Sequence, residues 1–121
     1  MKKSAGIYLL SEDTGKALLL YRSKICPDPF TWGVVAGLVD EGESFEEAAK
    51  RELREELNYY EEIELTPFFE DLKDDRHFKS FMCFLPNEKE FEIDLVENTE
   101  YKWLSKSEFY DLEPKHWGLH D

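Results

Sequence analysis

Three carboxylates, Glu52, Glu55 and Glu56, stand three and four residues apart in Phe45–Leu57, a segment that reads as an α-helix. At about 100° per residue, Phe45, Ala48, Ala49 and Leu53 form one face, with Leu57 at its edge. Glu52 and Glu56 fall between Ala48 and Ala49 on that face, and Glu55 lies beside Ala48. Lys50, Arg54, Glu46 and Glu47 point the other way, where charge meets water. A purely structural helix would carry Leu or Ile at the inward positions. Like charges in contact repel by about 1 kcal/mol per pair even in water. Partial burial raises that cost. A hard divalent cation relieves it, because carboxylate oxygens are the ligands such ions prefer. The alternative is a solvated acidic edge paired with Arg51 and Arg54.

Such a cluster needs a helix with fixed ends and a sheet beneath it. Ser44 and Glu47 form an S-x-x-E capping box, worth about 1 kcal/mol at the cap. Asn58 follows the last helical residue and can take the left-handed stop position in place of Gly. Ala5–Leu10 and Lys16–Tyr21 read as strands joined by Asp13-Thr14-Gly15. Ile25–Thr31, with Pro27 and Pro29, reads as a loop. Trp32–Leu38 is a short strand broken by Gly33 and Gly37. Ile63–Leu72 and His77–Leu85 read as strands around the turn Asp74-Asp75-Arg76, and Tyr101–Leu104 as the last strand. Ser105 and Glu108 make a second capping box, starting a short helix that ends before Pro114. This order implies an α/β (α+β) fold with a mixed central β-sheet.

The bulk numbers narrow the function classes. A chain of 121 residues is expected to be a single domain, residues 1–121. The 41% hydrophobic and 15% aromatic residues are those of a folded globule and argue against a disordered chain. The balance of 28 acidic against 15 basic residues leaves a net charge of −13, which repels nucleic acid and anionic lipid at long range. An anionic ligand would need a local reversal of sign, and a bound dication supplies one. Cys26 and Cys83 do not make a disulfide framework, and Cys83, within Phe81–Leu85, is expected as a buried thiol. Ser11-Glu12-Asp13 interrupts the apolar stretch after Lys2 and Lys3 too early for a signal peptide. No apolar run approaches the ~20 residues of a membrane span. The expected setting is a reducing cytoplasm. His77, His116 and His120 lack metal-ligand spacing.

Residues 37–59 read GLVDEGESFEEAAKRELREELNY. They resemble the Nudix box, G-x5-E-x7-R-E-U-x-E-E-x-G-U, where U is a bulky apolar residue. Gly37, Glu43, Arg51, Glu52, Leu53, Glu55 and Glu56 match at the family spacing, and Tyr59 suits the last position. Asn58 departs from the usual Gly; because Asn tolerates positive φ, the change touches the helix exit and not the acidic face. Upstream, Thr31-Trp32-Gly33 resembles the family's T-W-G lead-in, and Val35-Ala36-Gly37 replaces a more usual P-G-G.

The resemblance implies a Nudix-like α/β/α sandwich and a hydrolase acting on phosphoric anhydride bonds. It implies that Glu52, Glu55 and Glu56 hold Mg²⁺, with Mn²⁺ as a substitute and the Gly37 carbonyl as a further ligand. Arg51 would pair with Glu43 to hold the loop against the helix; a bridge to Glu55 one turn on is the open alternative. The general base is Glu52 or, from the segment before the last strand, Glu97. If the base is Glu97, Glu97→Gln lowers turnover at least ~100-fold. Arg22 resembles a position facing the substrate phosphates, with Arg76 and Lys79 as weaker candidates. Phe30, Tyr8 or Trp117 could stack on a base, whereas Trp32 and Trp103 are expected in the core.

The expected partner is a small-molecule nucleotide, with no membrane; a homodimer stays open. Subfamily marks outside the box are missing: the S-Q-P-W-P-F-P-x-S stretch of NADH pyrophosphatases and the proline of many ADP-ribose hydrolases. The leading expectation is a nucleoside diphosphate joined to another group, such as ADP-ribose or a dinucleotide. The rival is a MutT-like pyrophosphatase cutting a nucleoside triphosphate to a monophosphate. A catalytically silent nucleotide sensor is the reading of another class, and such proteins typically lose box carboxylates that this chain keeps.

Overall fold

The structure, a computed structural model, describes residues 2–25, 31–93, 98–105 and 107–108. Seven strands form one sheet: β1 (Lys2–Ser11), β2 (Ala17–Arg22), β3 (Trp32–Gly33), β4 (Val35–Leu38), β5 (Thr66–Lys73), β6 (Arg76–Leu85) and β7 (Asn98–Leu104). One helix, α1 (Phe45–Leu57), lies between β4 and β5 in sequence. The sheet is mixed, because β1 and β6 run parallel along their whole length while every other pair is antiparallel. No helix among the described residues is long and apolar enough to cross a membrane.

β1 and β2 touch only at their hairpin end, where Leu10 faces Ala17. Towards the other end they fork. β3 pairs with β2 through Trp32 and Gly33, and one residue later β4 pairs with β1 through Val35–Leu38. The Trp32–Leu38 segment therefore crosses between the two strands and holds them apart. At the open end of the fork stand Gly37 on β4, Arg22 ending β2, and Asn98 opening β7 opposite Arg22.

Alternation sorts the side chains. Ala5, Ile7 and Leu9 of β1, Leu18 and Leu20 of β2, and Phe81, Cys83 and Leu85 of β6 pack on one face with Ala48, Ala49, Leu53 and Leu57 of α1. Strand period two meeting helix period 3.6 produces this core. The small Ala5, Ala48 and Ala49, none of them exposed, let the helix lie close to the sheet. Across the sheet, Leu19, Trp32 and Val34 form a second cluster with Tyr8, Tyr21, Ala36 and Leu104. Trp32 is buried and Trp103 packs partly buried against the helix-side core, and Cys83 is buried, with its thiol pushed up to about 11 by desolvation.

The helix bounds agree with the sequence reading, and both caps are in place. Ser44 Oγ accepts from the Glu47 N–H, and Glu47 Oε1 accepts from the Ser44 N–H. Asn58 adopts φ 54 and ψ 35, and its N–H closes on the Arg54 carbonyl. Three strand starts shift by three residues. β1 begins at Lys2 and not Ala5, because its pairing with β6 extends to the exposed Lys2 and Lys3. β5 begins at Thr66 and not Ile63; Ile63 instead packs against the core from an irregular stretch. β7 begins at Asn98, ahead of Tyr101, because pairing with β2 continues where side-chain alternation does not. The second capping box forms, with Ser105 and Glu108 exchanging hydrogen bonds. The remainder of that helix lies outside the described residues.

Candidate metal and phosphate site

Arg51 sits a turn and a half into α1, and its guanidinium is the hub of the site. Nε and Nη2 donate to the two oxygens of Glu43 at 2.8 and 3.1 Å, a fork-on-fork pair that fixes both planes. Nη2 also donates to the Leu38 carbonyl at 2.8 Å. Nη1 reaches Glu52 Oε1 at 2.9 Å and Glu55 at 3.0 Å. Both pairings foreseen for Arg51 are thus made at once. One long cation can join four groups because its five donors radiate in a plane. Glu43 is further held by the Asp40 N–H at 2.8 Å, so the 40–43 turn is bound to the helix. The Arg51 hydrogen bond, with this backbone donor second, holds the Glu43 carboxyl below the usual carboxylate range.

Glu52 and Glu56 point into the fork, as the helical wheel requires. They are 8% and 4% exposed, values that ordinary surface acids do not reach. Burial pushes Glu52 above the usual carboxylate range, and the Glu55 charge adds to that push, while Glu56 and Arg51 oppose it. Gly37 lies directly over this carboxylate. A Cβ placed there would come within 2.1 Å of Glu52 Oε1, so only glycine leaves the space. Glu56 Oε1 accepts from Asn98 Nδ2 at 2.8 Å.

Glu55 corrects the wheel. It does not converge inward with the other two; its side chain is half exposed and turned to Arg51. The guanidinium at i−4 draws it to the helix edge, so among the described residues no three acids are gathered into a ready ligand cluster. The donor set nevertheless suits a hard dication. Glu52 and Glu56 are desolvated carboxylates in mutual contact, the Gly37 backbone closes over one of them, and the exposed Glu55 needs only a rotamer change to join.

The other sequence candidates are dispersed. Arg22 is at the fork's open end, where its N–H donates to the Thr31 carbonyl at 2.9 Å. Arg76 opens β6 opposite Lys73, at the exposed tip of the β5–β6 hairpin. Lys79 lies over the Phe45 ring at 5.3 Å, at the start of α1. Tyr8 packs edge-on against Phe68 across the sheet from the helix, so its ring does not face the acids. Phe30, Glu97 and Trp117 lie outside the described residues. Asn98 and the Leu38 carbonyl were not foreseen. A main-chain oxygen leaves no mark in sequence, and a lone Asn at a strand start resembles any turn residue.

Fold, box and buried acids together define a class, and comparison with known proteins agrees. Residues 1–121 match the family model described as NUDIX domain. The chain belongs to the Nudix family and is a Nudix hydrolase. It is 33% identical, over 81% of its length and 74% of the relative's, to dihydroneopterin triphosphate diphosphatase of Escherichia coli. The structure of the E. coli dihydroneopterin triphosphate pyrophosphohydrolase superposes with a TM-score of 0.77 at 26% identity, covering 96% of this chain and 88% of that one. A C. elegans Ap4A hydrolase in a binary complex gives a TM-score of 0.71 at 24% identity, covering 89% and 83%. At that identity the likeness concerns the fold alone.

Proposed function

We propose that this protein is a Mg²⁺-dependent pyrophosphohydrolase that cuts a nucleotide-like triphosphate into a monophosphate and pyrophosphate. The observation that carries the metal dependence is the buried, touching pair Glu52 and Glu56 beneath Gly37. The triphosphate is supported by the relative sharing a third of its residues, whose name states such a substrate. The expectation from sequence, a diphosphate joining a nucleoside to another group, uses the same site and is the second reading. A silent sensor has less support, since it has no use for buried acids that cost stability.

Glu52, Glu55, Glu56 and the Gly37 carbonyl would hold the ion. When bound, it neutralises charge on the bridging and leaving phosphate oxygens and makes water a better nucleophile. The protein's own groups do the rest. Arg51 holds the 40–43 turn and the Glu52 carboxylate in one arrangement, so Glu52 needs no reordering when substrate arrives. Arg22, at the mouth of the fork, is the cation best placed to meet a phosphate chain in a protein of net charge −13. Water adds to one phosphorus, the anhydride bond breaks, and a carboxylate takes the proton. Glu97 and Glu52 are the two candidates for that base.

The test is a panel of nucleoside and pterin triphosphates, ADP-ribose and dinucleotides, with and without Mg²⁺, read by product chromatography. Monophosphate plus pyrophosphate is expected, and only with metal. Two monophosphates from a diphosphate-linked substrate would transfer the assignment to the second reading; no turnover of any compound would support the sensor. Glu97→Gln settles the base: a loss of at least ~100-fold in kcat assigns it to Glu97, and full activity returns it to Glu52.

A further inference from the structure

Asn98 is the first residue of β7 and is 3% exposed. α1 packs on β1, β4 and β6, whereas β7 lies beyond β2 at the far side of the fork. The Asn98 amide nonetheless reaches the helix, and its Nδ2 donates to Glu56 Oε1 at 2.8 Å.

A local irregularity makes this reach possible. Tyr101 faces Leu20 and Trp103 faces Leu18, all on the helix side of the sheet. Strict alternation back from Tyr101 would put Thr99 on that side and turn Asn98 away. The register jumps instead: Tyr21 faces Glu100, while Arg22 faces Asn98, so Thr99 is an extra residue without a partner on β2. The bulge reverses the parity. Thr99 and Glu100 are both exposed, and Asn98 turns under the sheet towards α1. Bulges commonly re-aim a side chain beside an active site.

We propose that Asn98 is a positioning residue for the metal face, setting the plane of the Glu56 carboxylate. This rests on the metal-dependent reading above. A neutral amide suits the task, since Nδ2 donates at every pH and adds no charge to compete with a cation. The hydrogen bond fixes one oxygen of Glu56 and hence the direction of the other. Residues that orient a metal ligand in this way typically change metal affinity 10–100-fold when removed.

The experiment measures Mn²⁺ binding to metal-stripped protein by calorimetry, with no substrate, beside thermal melts in EDTA. The variants are Asn98→Leu, which fills the space without a donor, and Asn98→Ala, which relieves any misfit of the larger side chain. Asn58→Gly is the comparator. It removes another long-range side-chain bond, from Asn58 Nδ2 to the Glu92 carbonyl at 2.7 Å, that touches no carboxylate. Both Asn98 variants are expected to raise the Mn²⁺ dissociation constant about tenfold or more, and Asn58→Gly to leave it within twofold. Asn98 variants that melt earlier but bind Mn²⁺ like the wild type would overturn the proposal, reducing Asn98 to a buried structural amide. Absence of Mn²⁺ binding in the wild type would overturn the metal-dependent function as well, so the two failures are distinguishable.

Discussion

The fork beneath α1 and the β5–β6 hairpin are both rich in charge, yet they manage it differently. Along the hairpin, Glu70 pairs with His77, Lys73 lies near Asp71, and Lys79 covers Phe45. The two charge pairs join neighbours on the same or adjacent strands and Lys79 reaches the start of α1, mostly at the water boundary, where such contacts are worth about 0–1 kcal/mol. In the fork, Glu52 and Glu56 are desolvated; the preceding Arg51 meets one, and Asn98, 42 residues further along the chain, meets the other. Charge on the hairpin follows from its water-facing side chains. Charge in the fork opposes folding, a cost that the metal role proposed above would account for.

That contrast can be broken by substitution. The largest effect is expected at Glu52. Glu52→Gln removes a proposed metal ligand and should lower kcat/KM at least ~100-fold, measured with saturating Mg²⁺. In EDTA the same variant should melt no earlier than the wild type, because burial already penalises the charged form. A clear loss of stability would show the carboxylate to be structural. Gly37→Ala comes next. The added methyl must displace the Glu52 carboxylate, so activity should fall by about 10–100-fold, the range for disturbed ligand positioning, with expression retained.

Arg51→Lys should cost a few degrees of melting temperature, since lysine cannot form the fork on Glu43 or reach the Leu38 carbonyl, Glu52 and Glu55 at once. It should also alter the acid limb. Glu43 is lowered in the folded protein, so its contribution is present above the ordinary carboxylate range and is lost as pH falls through its depressed value. Without the Arg51 fork, that part of the acid dependence should flatten in melts taken from about pH 5 downward, the side on which a lowered carboxyl titrates. The smallest effect belongs to the hairpin: His77→Gln should stay within about 0.5 kcal/mol of the wild type in urea unfolding. A larger loss there would erase the distinction between the two regions.

The residues legible in sequence were those whose chemistry is periodic or locally spaced. Helix α1 ends where Ser44, Glu47 and Asn58 place its limits, because capping is a contest among near neighbours. The inward direction of Glu52 and Glu56 follows from 3.6 residues per turn, and the fork on Glu43 was foreseen from the box spacing. Glu55 was misplaced because the wheel assigns an angle to a Cα and knows nothing of the guanidinium that turns the side chain outward. The start of β7 was missed because a bulge breaks the alternation by which strands are read.

Sequence alone determined the family, the helix, its caps and the inward direction of Glu52 and Glu56, since each is written in one contiguous stretch, residues 37–59. Tertiary structure decided the rest. Which strands part to admit β4, how closely Gly37 covers Glu52, and that an amide 42 residues away reaches Glu56 are outcomes of packing between distant segments. Burial and a hydrogen bond across the fork are properties of the assembled sheet, and no local pattern of residues encodes them.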